Sequence, residues 1–171
     1  MEQNNFYCLV PSWSSISEDL LAFAQNIPQE HWSVYYNFDA VPVPHELLNA
    51  DPFIVALAEK RKFHAGVLRM KPNTCYNWHV DTDRKVGINM LLSTDADSHC
   101  VFLRGEPGVV FDVNELKYKP NSYYVFNTQV PHMVLNAAQP RYLFSLEFLE
   151  EDRGLTFNEL CEDVEGMNHG Y

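Results

Sequence analysis

Residues 123–148 read YYVFNTQVPHMVLNAAQPRYLFSLEF. Val, Tyr, Phe and Leu dominate, and the run breaks at Thr128-Gln129 and again over Ala137 to Pro140. Short bursts of β-branched and aromatic residues between turn formers predict strands, here at 122–127, 130–136 and 141–148. The same texture reaches back to residue 63, with strands expected at 63–70, 75–81, 86–93, 99–104 and 108–113. Pro72-Asn73, Asp95-Ala96-Asp97, Gly105 to Gly108 and Pro120-Asn121 punctuate them. Many short strands with regular punctuation predict an antiparallel sandwich or barrel.

Outside this block the period is helical. Ser15 with Glu18 reads as a capping box for a helix over 15–27, in which Ile16, Leu20, Phe23, Ala24 and Ile27 recur at helical spacing. Asp51 as N-cap and Pro52 in the first turn open a second helix, with Phe53, Ile54, Leu57 and Ala58 as its buried stripe. Lys60, Arg61 and Lys62 suit its C-terminus. Thr156 and Glu159 open a last short helix in an acidic tail, read as a solvated face or a lid. The expectation is a single domain over 1–171: a helical part at 1–62, a β core at 63–148 and the tail at 149–171. Its class is α+β, mainly β, with the N-terminal helices packed on one sheet.

Of 171 residues, 46% are apolar and 13% aromatic, which excludes a disordered chain. A net charge of −11 argues against nucleic acid as a partner. No apolar run has the length of a membrane span, and Met1 to Val10 lacks a basic stretch ahead of an apolar one. No membrane partner is expected, and the location is read as cytoplasmic. Cys8, Cys75, Cys100 and Cys161 are scattered without a CxxC pair and are read as reduced thiols.

The chemistry gathers in two places. In Asn77-Trp78-His79-Val80-Asp81, residues i and i+2 of a strand point to one face, so His79 and Asp81 stand side by side, with Cys75 and Asn77 on that face as well. An imidazole and a carboxylate are two members of a facial triad for Fe(II). Pro131-His132-Met133 offers the third. Arg141 opens the next strand. With 137–140 as a hairpin loop, Arg141 pairs with Asn136 and His132 with Ser145, so that all four face one cavity. A buried Arg calls for an anion, and a carboxylate fits its fork.

Each piece also has a plain structural reading. HxD arises by chance, a His after Pro is often only hydrogen-bonded, and Arg141 has many surface carboxylates available. Their joint occurrence favours a site. His31, His45, His64, His99 and His169 have no evident ligand partner.

With these residues in view, Phe63 to Phe148 resembles the 2-oxoglutarate and Fe(II)-dependent oxygenase superfamily, most closely its prolyl and aspartyl/asparaginyl hydroxylase branches. MKPNTCYNWHVDTDRKVGINMLLS, residues 70–93, is similar to their first ligand strand and its successor, and PHMVLN followed by Arg141 to their distal His block. The resemblance implies a double-stranded β-helix (jelly-roll, cupin-like) core. It implies Fe(II) held at a catalytic centre of His79, Asp81 and His132, 2-oxoglutarate as co-substrate with its far carboxylate on Arg141, and O2 as oxidant. Asn89 matches a pocket position on the co-substrate side and Arg84 one on the substrate side. Ser145, on the face of Arg141, is placed beside the co-substrate.

The implied activity is hydroxylation of an amino acid, a peptide side chain or a small metabolite. The carboxylate ligand Asp81 argues against halogenation. Two alternatives stay open. One is a cupin-like metalloprotein that never uses 2-oxoglutarate, which leaves an inward Arg141 without purpose. The other is a non-enzymatic jelly-roll binding or structural domain with an incidental HxD. Oligomeric state is not legible.

Overall fold

The strand expected at 141–148 forms and lies in the interior of the larger of two antiparallel sheets. The computed structural model describes residues 4–93, 97–105, 112–152 and 154–167. In chain order the elements begin with β1 (Tyr7–Trp13), α1 (Ser17–Asn26), β2 (Ser33–Tyr35), β3 (Phe38–Pro42), α2 (His45–Leu48) and α3 (Pro52–Lys60). Then come β4 (Phe63–Met70), β5 (Thr74–His79), β6 (Val86–Leu91), β7 (Ser98–Arg104), β8 (Asp112–Leu116), β9 (Ser122–Asn127), β10 (His132–Asn136), β11 (Arg141–Phe148) and α4 (Phe157–Met167).

The larger sheet runs β1-β9-β6-β11-β4-β3-β2 and the smaller β5-β10-β7-β8. This is the expected jelly-roll: two sheets face to face, with successive strands passing between them.

Period-2 alternation divides each inner strand between two environments. On β11, Phe144, Leu146 and Phe148 join the core beneath the helices, while Arg141, Leu143, Ser145 and Glu147 face the space between the sheets. On β9, Tyr123 and Val125 go to the helices, and Tyr124 and Phe126 go between the sheets. Leu20 and Ala24 of α1 and Phe53, Ile54 and Leu57 of α3 cover the helix side, as expected of helices packed on one sheet. Each such fully buried side chain contributes about 2 kcal/mol.

Asp51 is the hinge of that layer. Its carboxylate caps α3 through the Phe53 and Ile54 amides at 3.0 and 3.2 Å. Its other oxygen accepts from Ser15 N, Ser14 Oγ and Tyr123 Oη at 3.1, 3.2 and 2.8 Å.

Several expectations are corrected. The first 62 residues are not purely helical, because they also supply β1, β2 and β3. β1 escapes a pattern search because Pro11 interrupts it. An edge strand tolerates proline, and the register shifts between Leu9 and Trp13. β2 and β3 are a short hairpin added to the opposite edge. Ser15 does not cap α1: the cap position is Ile16, and the Ser15 hydroxyl donates to the Ala50 carbonyl instead. The expected strand at 108–113 falls largely outside the described residues, and β8 begins at Asp112.

In the described part of the acidic tail, Glu159, Glu162 and Glu165 give α4 the expected solvated face, and its other face packs under the larger sheet instead of covering the cavity. Among its described residues, Phe157, Leu160, Cys161 and Val164 of α4 are buried in the core beneath the larger sheet. Arg61 fastens this region, reaching Asp152 and Asp163 at 2.7 Å each. Thr156 and Glu159 do form the expected capping box.

The largest correction concerns β10 and β11. They are not a hairpin: β10 pairs with β5 and β7 in the smaller sheet, and β11 with β4 and β6 in the larger. His132 lies opposite His79 and Phe102, not Ser145; Arg141 lies opposite Met70, not Asn136. The four residues between the strands cross from one sheet to the other. His132 and Arg141 therefore face each other across the sandwich instead of lying along one face.

Candidate active site

The space between the sheets opens into a cavity of about 530 Å³, lined by His79, Asp81, Arg84, Asn89, His132, Arg141 and Ser145 among others. The expected metal ligands and the expected co-substrate and substrate residues all lie on its wall, whereas Cys75, Asn77 and Asn136 do not.

His79 arrives there by a bulge. Between His132↔His79 and Val134↔Tyr76 the register shifts, so β5 carries one residue more than β10 over that interval. The bulge turns His79 to the side of Tyr76 and leaves Cys75, Asn77 and Trp78 exposed, which corrects the placing of Cys75 and Asn77 beside His79. Asp81 lies just past the end of β5, where its amide donates to the Thr128 carbonyl at 3.1 Å. Thr128 Oγ1 and Gln129 Nε2 also bond the Arg84 carbonyl, at 2.7 and 3.1 Å, and tie this loop to the strand end that leads to His132.

The two imidazoles have fixed tautomers. His79 Nδ1 lies 2.6 Å from the Asn77 carbonyl and His132 Nδ1 2.9 Å from the Val130 carbonyl. A carbonyl only accepts, so each Nδ1 carries its proton, and in the neutral ring each Nε2 presents a lone pair. Those lone pairs point at the same oxygen: Asp81 Oδ1 is 3.4 Å from His79 Nε2 and 3.7 Å from His132 Nε2. All three ligand atoms lie within 4.8 Å of one another. Three lone pairs so close repel. A proton relieves one contact, whereas one divalent cation relieves all three.

Electrostatics keep these side chains in a form able to bind a metal. Burial, with His79 beside it, pushes His132 down to about 4, so its ring is neutral at pH 7. Burial alone would raise the Asp81 carboxyl, but His79 and Arg84 hold it down at about 2. Arg84 Nε donates to Asp81 Oδ2 at 2.7 Å, and Arg84 Nη1 to Ser145 Oγ at 3.3 Å. Arg84, expected toward substrate, is thus committed to the carboxylate ligand. Gly87 makes room for it, since a Cβ there would meet Arg84 Nη1 and the Leu146 carbonyl at 3.1 Å.

At another part of the wall Arg141 is 4% exposed, its guanidinium 5.9 Å from the Tyr118 ring centre. Arg141 has no ion-pair partner among the described residues, and neither its Nε nor the Tyr118 hydroxyl has a hydrogen-bond partner there. Burial pushes the Tyr118 phenol far above its ordinary value, so it stays protonated as a donor. A buried cation beside a buried phenol is a cradle for a carboxylate. Asn89, 3% exposed, sits on β6 opposite Ser145. Asn136 is not part of this cradle; its amide donates to the Lys71 and Gln139 carbonyls at 2.8 and 2.9 Å and holds the turn after β4.

No family model matches the chain, and no curated protein matches it in sequence. Solved structures do match it in shape. A prolyl hydroxylase from Trichoplax adhaerens, in complex with a peptide of the hypoxia inducible factor oxygen degradation domain, aligns over 88% of this chain and 86% of its own, with a TM-score of 0.63 at 17% identity. The fold is that of the 2-oxoglutarate/Fe(II) oxygenases. A Pseudomonas putida prolyl-4-hydroxylase shares this oxygenase fold over 83% of the chain and 90% of its own, with a TM-score of 0.60 at 15% identity. HygX from Streptomyces hygroscopicus, solved with nickel, 2-oxoglutarate and hygromycin B, shares it over 82% and 81%, with a TM-score of 0.57 at 10% identity.

Within the oxygenase fold, sequence reasoning missed Tyr118 and the wall formed by β2 and β3. Tyr118 lies in the turn after β8, where no periodicity marks it. Tyr35, Tyr36 and Phe38 belong to a hairpin inside the stretch read as a helical part, yet they line the cavity together with Tyr76. Tyr36, at φ 52°, is held in the left-handed region, which is rare for an aromatic residue.

Proposed function

We propose that this protein is an Fe(II) and 2-oxoglutarate-dependent dioxygenase that oxidises a small molecule or a peptide side chain, with hydroxylation as the default outcome. The observation that carries the reading is Arg141: a buried guanidinium without a carboxylate partner among the described residues, on the wall of the cavity that also gathers His79, Asp81 and His132. A metalloprotein that used no anionic co-substrate would leave that buried charge uncompensated, at a cost of several kcal/mol.

His79, Asp81 and His132 are the metal ligands, a donor set suited to Fe(II). With 2-oxoglutarate and O2, bound iron supplies the oxidising chemistry, yielding succinate, CO2 and an oxidised product. The chain's own residues bind, orient and exclude. Arg141, with the Tyr118 hydroxyl, receives the far carboxylate of 2-oxoglutarate. Asn89 and Ser145 line the co-substrate's side of the cavity. Arg84 holds Asp81 so that Oδ1 faces the metal. Phe102 and Phe126, with ring centres 5.9 and 4.9 Å from His132, keep water from its back.

The test is succinate formation from 2-oxoglutarate with Fe(II) and ascorbate, measured by mass spectrometry. The expected result is slow turnover even without substrate, abolished by His79→Ala. Absence of both succinate and 2-oxoglutarate binding would favour the cupin-like metalloprotein.

A further inference from the structure

The mouth of the cavity has a chemistry of its own. Four rings touch in sequence around it: Tyr35 to Tyr36 at 4.8 Å, Tyr36 to Tyr76 at 6.5 Å, Tyr76 to Phe38 at 5.3 Å and Phe38 to Tyr35 at 5.7 Å. Tyr76 continues inward to His79, ring centres 3.8 Å apart, so the cluster leads directly to the metal ligands.

Two acids lie among these rings. Asp83 accepts from the Tyr36 hydroxyl at 3.4 Å, and Glu147 lines the cavity from β11, one alternate position beyond Ser145. Glu147 and Tyr35 line the same cavity, and burial first and then this carboxylate raise the Tyr35 phenol. Neither acid has an ion-pair partner among the described residues. The nearby positive groups are otherwise engaged or weak. Arg84 is bound to Asp81, Arg141 belongs to the co-substrate's cradle, and His64, across from Glu147 on β4, is exposed. With metal and co-substrate in place, the uncompensated charge at the mouth is negative and framed by aromatic rings. Ring faces and carboxylates both attract a cation, and neither favours an anion.

We propose that the substrate carries an alkylammonium group, held at the cavity mouth by the rings of Tyr35, Tyr36 and Tyr76 against Asp83 and Glu147. This deepens the oxygenase reading and rests on it. The cation sits among the mouth rings, and the apolar chain attached to it runs inward past Tyr76 toward His79.

The experiment uses the whole protein loaded with Mn(II), which binds without turnover. Titration with 2-oxoglutarate comes first and tests the oxygenase reading alone. Hexylamine, hexanol and hexanoate are then titrated separately with 2-oxoglutarate saturating the Arg141 cradle; the amine-to-alcohol comparison reads the mouth even where 2-oxoglutarate does not bind, because neither compound carries a carboxylate for that cradle. The expected order is amine, then alcohol, then carboxylate. In the double variant Asp83→Asn, Glu147→Gln the amine-to-alcohol affinity ratio falls about tenfold. Free lysine and a lysine within a blocked peptide, each against its norleucine counterpart, tell whether the ammonium arrives on an amino acid or on a peptide. Hexanol or hexanoate binding as tightly as hexylamine, or an unchanged ratio in the double variant, overturns the proposal.

Discussion

Arg84 and Asp81 form a side-on pair in which Nε takes Oδ2 at 2.7 Å and leaves Oδ1 to the two imidazoles. The pair divides the work of one carboxylate: one oxygen is a fixed anchor and the other is left free to ligate a metal. Partners that orient ligating groups affect metal affinity nearly as much as the ligands do.

Arg84→Ala is therefore expected to weaken Mn(II) binding about 10- to 100-fold by calorimetry, with Arg84→Lys in between. Circular dichroism of both metal-free variants should match the parent, because Arg84 is partly exposed and its side chain bonds only Asp81 and Ser145 on the cavity wall. Unchanged affinity would show that Asp81 needs no anchor.

A second expectation concerns the scaffold. Asp51 is fully buried and accepts five hydrogen bonds, from Ser14, Ser15, Phe53, Ile54 and Tyr123. Asp51→Ala leaves those donors without a partner and removes the cap of α3, and should cost about 3–5 kcal/mol in urea unfolding.

The third expectation follows from His132. Its folded pKa of about 4 lies below the ordinary 6.5, so protonation favours the unfolded chain. Its contribution to stability is complete above pH 6.5 and is lost as pH falls toward 4. The metal-free protein should lose about 2–3 kcal/mol over that interval, measured as urea midpoints. Asp81, held at about 2, gives its loss in a lower window, below its ordinary 3.8. A His132→Asn variant should flatten the upper window and keep the lower one.

Much of this was legible in the residues. The strands at 63–70, 122–127 and 141–148 match to the residue, because turn formers or charged residues bound each of them at both ends. The α3 cap and the α4 capping box were readable because those signals are local. His79, Asp81, His132 and Arg141 were identified, but the reasoning that joined them was partly wrong. A hairpin between β10 and β11 is what four loop residues ordinarily make, and nothing local says that the chain crosses to the other sheet. The β5 bulge was hidden for the same reason, since register is set by the partner strand. β1 to β3 and Tyr118 were missed because edge strands and turns carry little periodicity.

The central proposal is that one cavity holds a metal on His79, Asp81 and His132 and, on Arg141, the anion that joins it. The most direct measurement is a calorimetric titration of 2-oxoglutarate into the Mn(II)-loaded protein and its Arg141→Ala variant. The predicted result is clear binding by the parent and a loss of about a hundredfold in the variant, with Mn(II) affinity unchanged. Equal 2-oxoglutarate affinity in the two proteins would contradict it.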